Sequence, residues 1–538
     1  MTLNPSQSSV SFFPLLTAPR FQSKSSALKA NVVRSSLMTF LERHQQQSCR
    51  DLAPDDLNRR VDILNKWWIG LLEILNGKTN QSISGTDRPV YLDAIVGIMN
   101  RPEWRVPFPA WNSNNSASNQ YESSTASISE ASDASSANSE FLAASVHHSV
   151  RTVFIQNLLS QMVFAVGRLS MRHAPASLVA FCGKACAYAY FFCPGVADIL
   201  TRLWYIPPDI LRRVLEASGI QRGTSMRPLS QDLALNFPVS LRTLSFASFA
   251  SFVRYLRQSP DVPVTIAQVA WQGPWLSRWR GRDTDLLFVF VKYVHLLYSD
   301  YIPPSLEKAK RIVAPGLLPI HAQLLVVLDD MLYRPAYSRP AQVVSFDDFV
   351  EGADASMSAL PLGTSNGSRS IMQHRLTVLL RDFLSESSPE PESARLLYAE
   401  TFCGIMKVAA RRMSLFDHSA CFLLCDFLEE AIPILDRFSR SIGTELFDYA
   451  FWLDVCRQML QSENSLTELR VFSFIFCTWE TWIADETRKF DLCLGFLLHE
   501  AVFYRFFSHW SPMVRAYFQR LLCWRVARFS DEPTPLDS

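Results

Sequence analysis

Glycine is scarce in this chain: 18 of 538 residues, about 3%, against the ~7% usual in proteins. That shortage disfavours glycine-punctuated β folds and the glycine-rich loops with which α/β folds cradle nucleotides. Neither a P-loop nor a G-x-G-x-x-G run is present. Net charge is nearly absent too. Lys plus Arg number 52 and Asp plus Glu 51, a formal +1, which excludes a globally basic nucleic-acid binder and a strongly acidic solvating chain. Long apolar runs are missing. ACAYAYFFCPGVA (185–197) is too short for a ~20-residue crossing, and IVAPGLLPIHAQLLVVL (312–328) is interrupted by Pro315, Pro319, His321 and Gln323. Both are expected to be buried core helices, with re-entrant or spanning segments as the alternative.

A regular cysteine framework is also lacking. The eleven cysteines are odd in number, irregularly spaced and mostly set in apolar stretches such as CFLLCDFL. Reduced, buried thiols in an intracellular protein follow, rather than a secreted disulfide scaffold. Residues 1–41 contain no Asp or Glu but hold Arg20, Lys24, Lys29, Arg34 and nine serines. The favoured reading is a Ser-rich tail running into a helix over 27–43, and a mitochondrial transit peptide is the minority one. A cytoplasmic location, with membrane association as an addition, is therefore expected.

What the chain has in plenty is bulky apolar side chains: 48% hydrophobic residues, with 37 Phe and 13 Trp. Their period is helical. In 150–169, Val150, Val153, Phe154, Leu158, Met162, Val166 and Leu169 recur three or four apart. The same pattern fills 421–438, where Pro433 marks a kink or a new turn, and fills 491–507 and 513–529. Ser465 and Glu468 read as an S-x-x-E capping box. Alternating strand patterns are few, and PVTIAQVAW (263–271) is the nearest to one. The expected fold is all-α, a multi-helical bundle or irregular α-solenoid of roughly 18–24 helices with a disordered Ser-rich insert.

Composition divides the chain into a disordered tail (1–23), N-terminal helices (24–111), a Ser/Asn-rich disordered linker (112–140), a central helical region (141–350), a loop (351–370), a C-terminal helical region (371–529) and a tail (530–538).

Catalytic signatures do not survive their context. Gly363-Thr364-Ser365-Asn366-Gly367 fits G-x-S-x-G, but it sits in linker composition with no strand before it or helix after it. His418, Cys421 and Cys425 share a helix face, and Cys403 adds a fourth zinc-type donor; the apolar neighbours Phe422, Leu424 and Leu428 favour core packing over a metal-dependent enzyme. No enzyme activity, cofactor or metal is expected.

The most unusual local feature is WQGPWLSRWRGRD (271–283). Trp271, Trp275 and Trp279 fall four apart, with Arg278, Arg280 and Arg282 interleaved. One reading is an aromatic-basic interaction patch for an anionic partner, a lipid head group or an acidic peptide. The other, commoner for tryptophan, makes the rings core and pairs the arginines with Asp283 and Asp285.

SMRHAPASLVAFCGKACAYAYFFCPGVADILTRLW (170–204), with KANVVRSSLMTFL (29–41) and WLSRWRGRDTDLLFVFVKYVHLLYSDYI (275–302), resembles the fungal family called domain of unknown function 1765. The similarity spans roughly 25–530, with 112–139 as an insert. It implies a fungal, intracellular, non-enzymatic protein and supplies no catalytic residues; family members are often longer, and some carry membrane-protein labels. Within this stretch Pro194-Gly195 would end one helix and let another begin at Val196. The leading expectation is a helical scaffold or adaptor binding other proteins, peripheral at a membrane, with no nucleic-acid partner. The alternative is an integral or re-entrant membrane protein using 177–203 and 286–328.

Overall fold

The computed structural model describes residues 25–43, 52–77, 85–105, 133–221, 223–282, 284–303, 306–333 and 374–527. Every regular element among them is a helix, and none is a strand. The tails 1–23 and 530–538, the loop 351–370 with its G-x-S-x-G match, and most of the 112–140 linker lie outside the described residues. The 263–271 stretch holds only a 3-10 turn, Val264–Ile266. The chain divides into two compact units whose segments alternate along the sequence. One comprises Met1–Tyr205, Ser225–Val294 and Val313–Gly316; the other comprises Ile206–Thr224, His295–Ile312 and Leu317–Ser538. These borders do not follow the composition breaks at 141, 350 and 371, because packing rather than local polarity decides them.

In the first unit, α1 (Pro54–Leu75) opens with proline at its first turn and Asp55 and Asp56 beside the positive end of the helix dipole. Its Leu57, Val61, Leu64, Trp68 and Leu71 form one buried stripe. Next come α2 (Arg88–Met99), α3 (Asp133–Leu169), α4 (Ala176–Phe192) and α5 (Val196–Arg202). α3 begins eight residues before the linker boundary read from composition, since the alanine-containing DASSANSE segment adds helical turns to an existing nucleus at little cost. α1 and α4 both pack on α3. Trp68 Nε1 donates to Gln161 Oε1 at 3.1 Å and Asn157 Nδ2 to Asn65 Oδ1 at 2.8 Å, so α1 and α3 are joined by polar as well as apolar contacts.

α4 is apolar on nearly every side and is correspondingly buried, Cys182, Cys186, Tyr190 and Phe191 all at 0% exposure. At Gly183 a Cβ would stand 2.7 Å from the Cβ of Val289, so glycine is what lets α4 approach the Leu286–Ser299 helix. The turn expected at Pro194-Gly195 is present: Gly195 takes φ +79°, and the chain bends by 119° into α5.

The second unit contains α6 (Pro208–Ala217), α7 (Leu317–Leu332), α8 (Arg375–Leu384), α9 (Glu392–Arg411), α10 (His418–Ile442), α11 (Tyr449–Leu460), α12 (Ser465–Cys477), α13 (Glu486–Leu492), α14 (Glu500–Phe507) and α15 (Pro512–Leu521). The surface loop read from SESSPEPES (385–393) connects α8 to α9 over 385–391, and α9 begins within it at Glu392. Pro433 lies within α10, which continues through it. Asp329 of α7, 6% exposed, receives Arg213 at 2.7 Å and Arg412 at 2.9 Å, which clamps α7 to α6 and to the end of α9. Arg470 of α12 donates to Asp426 of α10 at 2.7 Å and also pairs with Glu429.

Two local expectations change. Asn464, not Ser465, caps α12, its Oδ1 accepting from Leu466 and Thr467. Glu468 turns inward instead, where Arg505 (3.0 Å) and His509 (3.4 Å) surround its carboxylate. The 491–507 helix is also divided. After α13 a π-helical turn, Cys493–Leu497, leads to extended backbone at His499, and α14 begins afresh.

Candidate interaction surface

The structure separates the members of the 271–282 patch. Trp275 and Trp279 are 0% exposed, while Trp271 is half-buried and bonds Ile266 O through its own Nε1 at 3.1 Å. Trp279 stacks on Trp204 at 5.1 Å and meets Phe290 edge-on at 4.7 Å. Arg278 donates to the carbonyls of Met171 and Arg172, Arg280 donates to that of Leu203, and the Arg280 guanidinium lies 4.8 Å from the Tyr205 ring. Arg282 is exposed, and Asp283 lies outside the described residues. No solvent-facing row of three rings is assembled here, because tryptophans four apart on a short helix meet the core of their unit first.

Exposed rings are found elsewhere, along α13 to the end of α15 in the second unit. Phe490, Leu494 and Leu498 follow one another four apart through α13 and its π turn, and all three are exposed. On α14, Ala501, Tyr504 and Phe507 recur three apart on the outer face. Tyr504 is 67% exposed, Trp510 79% and Trp524 60%. The inner face of the same helix is anchored firmly. Phe506 packs against Phe472 of α12 at 5.0 Å and Phe518 of α15 at 5.9 Å, and His509 stacks on Phe506 at 5.8 Å. The outward rings are therefore carried on a rigid support rather than on a fraying end.

Charge is one-sided only after Glu500, since α13 carries the exposed acids Glu486 and Asp491 and α14 opens on exposed Glu500. From Ala501 to Ala527 no Asp or Glu occurs, whereas Arg505, Arg515, Arg520 and Arg525 do. Arg520 is exposed beside the Tyr517 ring, and Arg515 holds the carbonyl of His509 at 2.7 Å. Arg505 and Arg525 reach Glu468 and Glu480 outside the segment. Burial raises the Glu468 carboxyl while Arg505 and His509 oppose that rise, so the cluster links α12 to α14. In the sequence these stretches read only as amphipathic helices. The signal within reach was the acid-free run of 27 residues combining four arginines with aromatics.

The thiol face at 418–425 is packing. Cys421 and Cys425 are buried, and burial lifts Cys421 to about 11 and raises Cys425 well above its ordinary value, so both hold their protons; His418 is exposed. Among the described residues no group of three or more His, Cys, Asp or Glu side chains is gathered as a metal site would require. None of the described helices is by itself long and apolar enough to cross a membrane. The bent pair α4–α5 passes by length and composition, and its side chains are largely buried within their unit.

The family described as "Protein of unknown function (DUF1765)" matches residues 402–526, from the middle of α9 through the exposed aromatic face. Resemblance to that fungal family is thus shown. A UPF0592 membrane protein of Schizosaccharomyces pombe is 22% identical over 525 residues, covering 94% of this chain. The chain spans about half, 51%, of the length of that curated relative. No solved structure matches.

Proposed function

We propose that this chain is a non-catalytic helical scaffold that sits peripherally on an anionic membrane surface through the outer face of α13–α15 and presents other surfaces to protein partners. The observation that carries the reading is the exposed row Tyr504, Phe507 and Trp510 on an acid-free, arginine-bearing segment. Aromatic rings with a polar edge prefer the water–lipid boundary, and each arginine near an anionic surface adds about 1 kcal/mol. The relative's description as a membrane protein supports the same reading. Elsewhere the buried polar groups tie helices together, as Asp329 and Arg470 do, which suits a scaffold.

Vesicle flotation tests it. The full chain floats with phosphatidylserine-containing vesicles, floats less as salt rises, and stays behind with neutral vesicles. The triple variant Tyr504→Ser, Phe507→Ser, Trp510→Ser remains folded and fails to float. Flotation equal to wild type in that variant, or none by wild type, would overturn the reading.

The alternative is an integral protein with α4–α5 as a re-entrant pair, favoured by the 119° bend between two apolar helices. Carbonate extraction decides: a peripheral protein enters the supernatant, and a re-entrant one remains in the pellet.

A further inference from the structure

A cavity of about 360 Å³ opens in the second unit between the end of α6, the Lys308–Arg311 turn, the start of α7 and one face of α9. Its size falls within the ~300–1,000 Å³ of small-molecule sites. Three features give it a polarity. Lys308 and Arg311 both pair with Glu400, at 2.8 and 2.6 Å, so two cations face one carboxylate and one positive charge is left over. The Lys308 side chain is 58% exposed while that of Glu400 is 10% exposed, which sets the charged group at the mouth. The walls beyond are apolar, Ile405 among them.

The third feature is His321, which lines the cavity at 3% exposure and whose Nε2 has no hydrogen-bond partner among the described residues. A buried polar atom left in this state is costly, and it calls for a partner. Burial and the neighbouring His295 ring, stacked at 5.5 Å, push its pKa well below the ordinary histidine range, so the imidazole is neutral and offers one donor or one acceptor. Gly404 lines the same space in the interior of α9, a position where helices disfavour glycine. A Cβ there would meet nothing within 4 Å, so this glycine is not required by a close helix contact and instead leaves the cavity wider.

We infer that this cavity binds an amphipathic organic monoanion, its acid group at Lys308 and Arg311, its apolar body along α9, and a hydroxyl or carbonyl hydrogen-bonded to His321. Neither the family resemblance nor the membrane reading requires such a site.

The test is calorimetric titration of the full chain with ω-hydroxy carboxylates of eight to twelve carbons, with the unsubstituted carboxylates and the diols of equal length as comparison arms. The best hydroxy acid binds saturably, about tenfold tighter than the diol and about threefold tighter than the plain acid, ratios that correspond to one ionic and one neutral hydrogen-bonded contact. Gly404→Leu fills the cavity and removes binding while far-UV circular dichroism stays that of a helical protein. His321→Leu erases the preference for the hydroxy acid and retains the plain one. Should Gly404→Leu fail to fold, the His321→Leu comparison decides. The triple variant of the exposed face keeps cavity binding, which separates this site from the membrane reading. Absence of saturable binding to wild type, binding that persists in folded Gly404→Leu, or an unchanged preference in His321→Leu would overturn the inference.

Discussion

The indole of Trp204 lies parallel to that of Trp279 at a centroid distance of 5.1 Å, and its Nε1 donates to the Trp279 carbonyl at 3.2 Å. Trp279 Nε1 in turn bonds Leu200 O at 3.0 Å, so the end of α5 and the 275–279 turn are fastened by stacking and by two hydrogen bonds. Truncating Trp279 to alanine is expected to cost about 3–5 kcal/mol, measured by urea denaturation. Trp279→Phe keeps most of the packing, loses the indole N–H, and should cost less than half of that. Equal losses in the two variants would contradict the packing role assigned to this ring.

Asp329 is the shared acceptor of Arg213 and Arg412, and its partners differ in burial. The Arg213 side chain is 15% exposed and that of Arg412 57%. Asp329→Ala strands Arg213 in a covered position and should cost about 3–5 kcal/mol. Arg412→Ala removes an exposed partner and should cost about 1 kcal/mol or less. Similar losses from the two substitutions in chemical denaturation would show that the clamp is not organised this way.

His321 gives the protein an acid limit. Its folded pKa lies well below the ordinary 6.5 because burial and His295 disfavour the charged ring. The unfolded state therefore binds more protons once pH drops below about 6.5, so stability is retained above that value and lost as pH falls from there toward the folded pKa. The limiting slope for this one proton is about 1.4 kcal/mol per pH unit. Thermal melts should show wild type losing stability relative to His321→Leu as pH falls below about 6.5, so that the gap between them shifts on acidification rather than staying constant. Parallel curves from pH 7 to pH 5 would refute it.

The thiols divide by burial. Burial lifts Cys186, Cys403 and Cys456 to about 12, so they stay protonated and covered, whereas Cys523 is exposed. Cys477 is also exposed, but partial burial of its sulfur and the nearby Glu429 hold it at about 11. In a Cys49→Ser background at pH 8, a thiol reagent should modify Cys523 first and the core cysteines only after denaturant is added. Rapid native labelling of Cys186 or Cys456 would contradict the packing described.

Much of the fold was legible because its signals are local. The helical stretch expected over 27–43, capped by Ser25 and carrying a π-helical segment at Val33–Met38, and the α4–α5 corner at Gly195 follow from periodicity and from one residue tolerant of positive φ. Features decided by tertiary contacts were not. Glu468 satisfies a capping pattern, yet Arg505 and His509, 37 and 41 residues onward, draw it inward and leave Asn464 to cap the helix. The tryptophans at 275 and 279, four apart, and the rings at 504, 507 and 510, three apart, both look like one face of a helix in the sequence. Only the packing of Trp204 and Phe290 on Trp279, which itself lies against buried Trp275, and solvent over the second set, tells them apart.

Contact of the Trp510 ring with the bilayer distinguishes a protein held on the membrane by this face from one that is not. Tryptophan emission is recorded with phosphatidylserine vesicles containing brominated phosphatidylcholine, for wild type and for Trp510→Phe, a variant that keeps an aromatic ring and is expected to bind. The account predicts that the wild-type emission shifts to the blue and is quenched on binding, and that the difference between wild type and Trp510→Phe carries most of the quenched component. Vesicle-bound protein whose emission is unquenched, or quenching unchanged in Trp510→Phe, would contradict it.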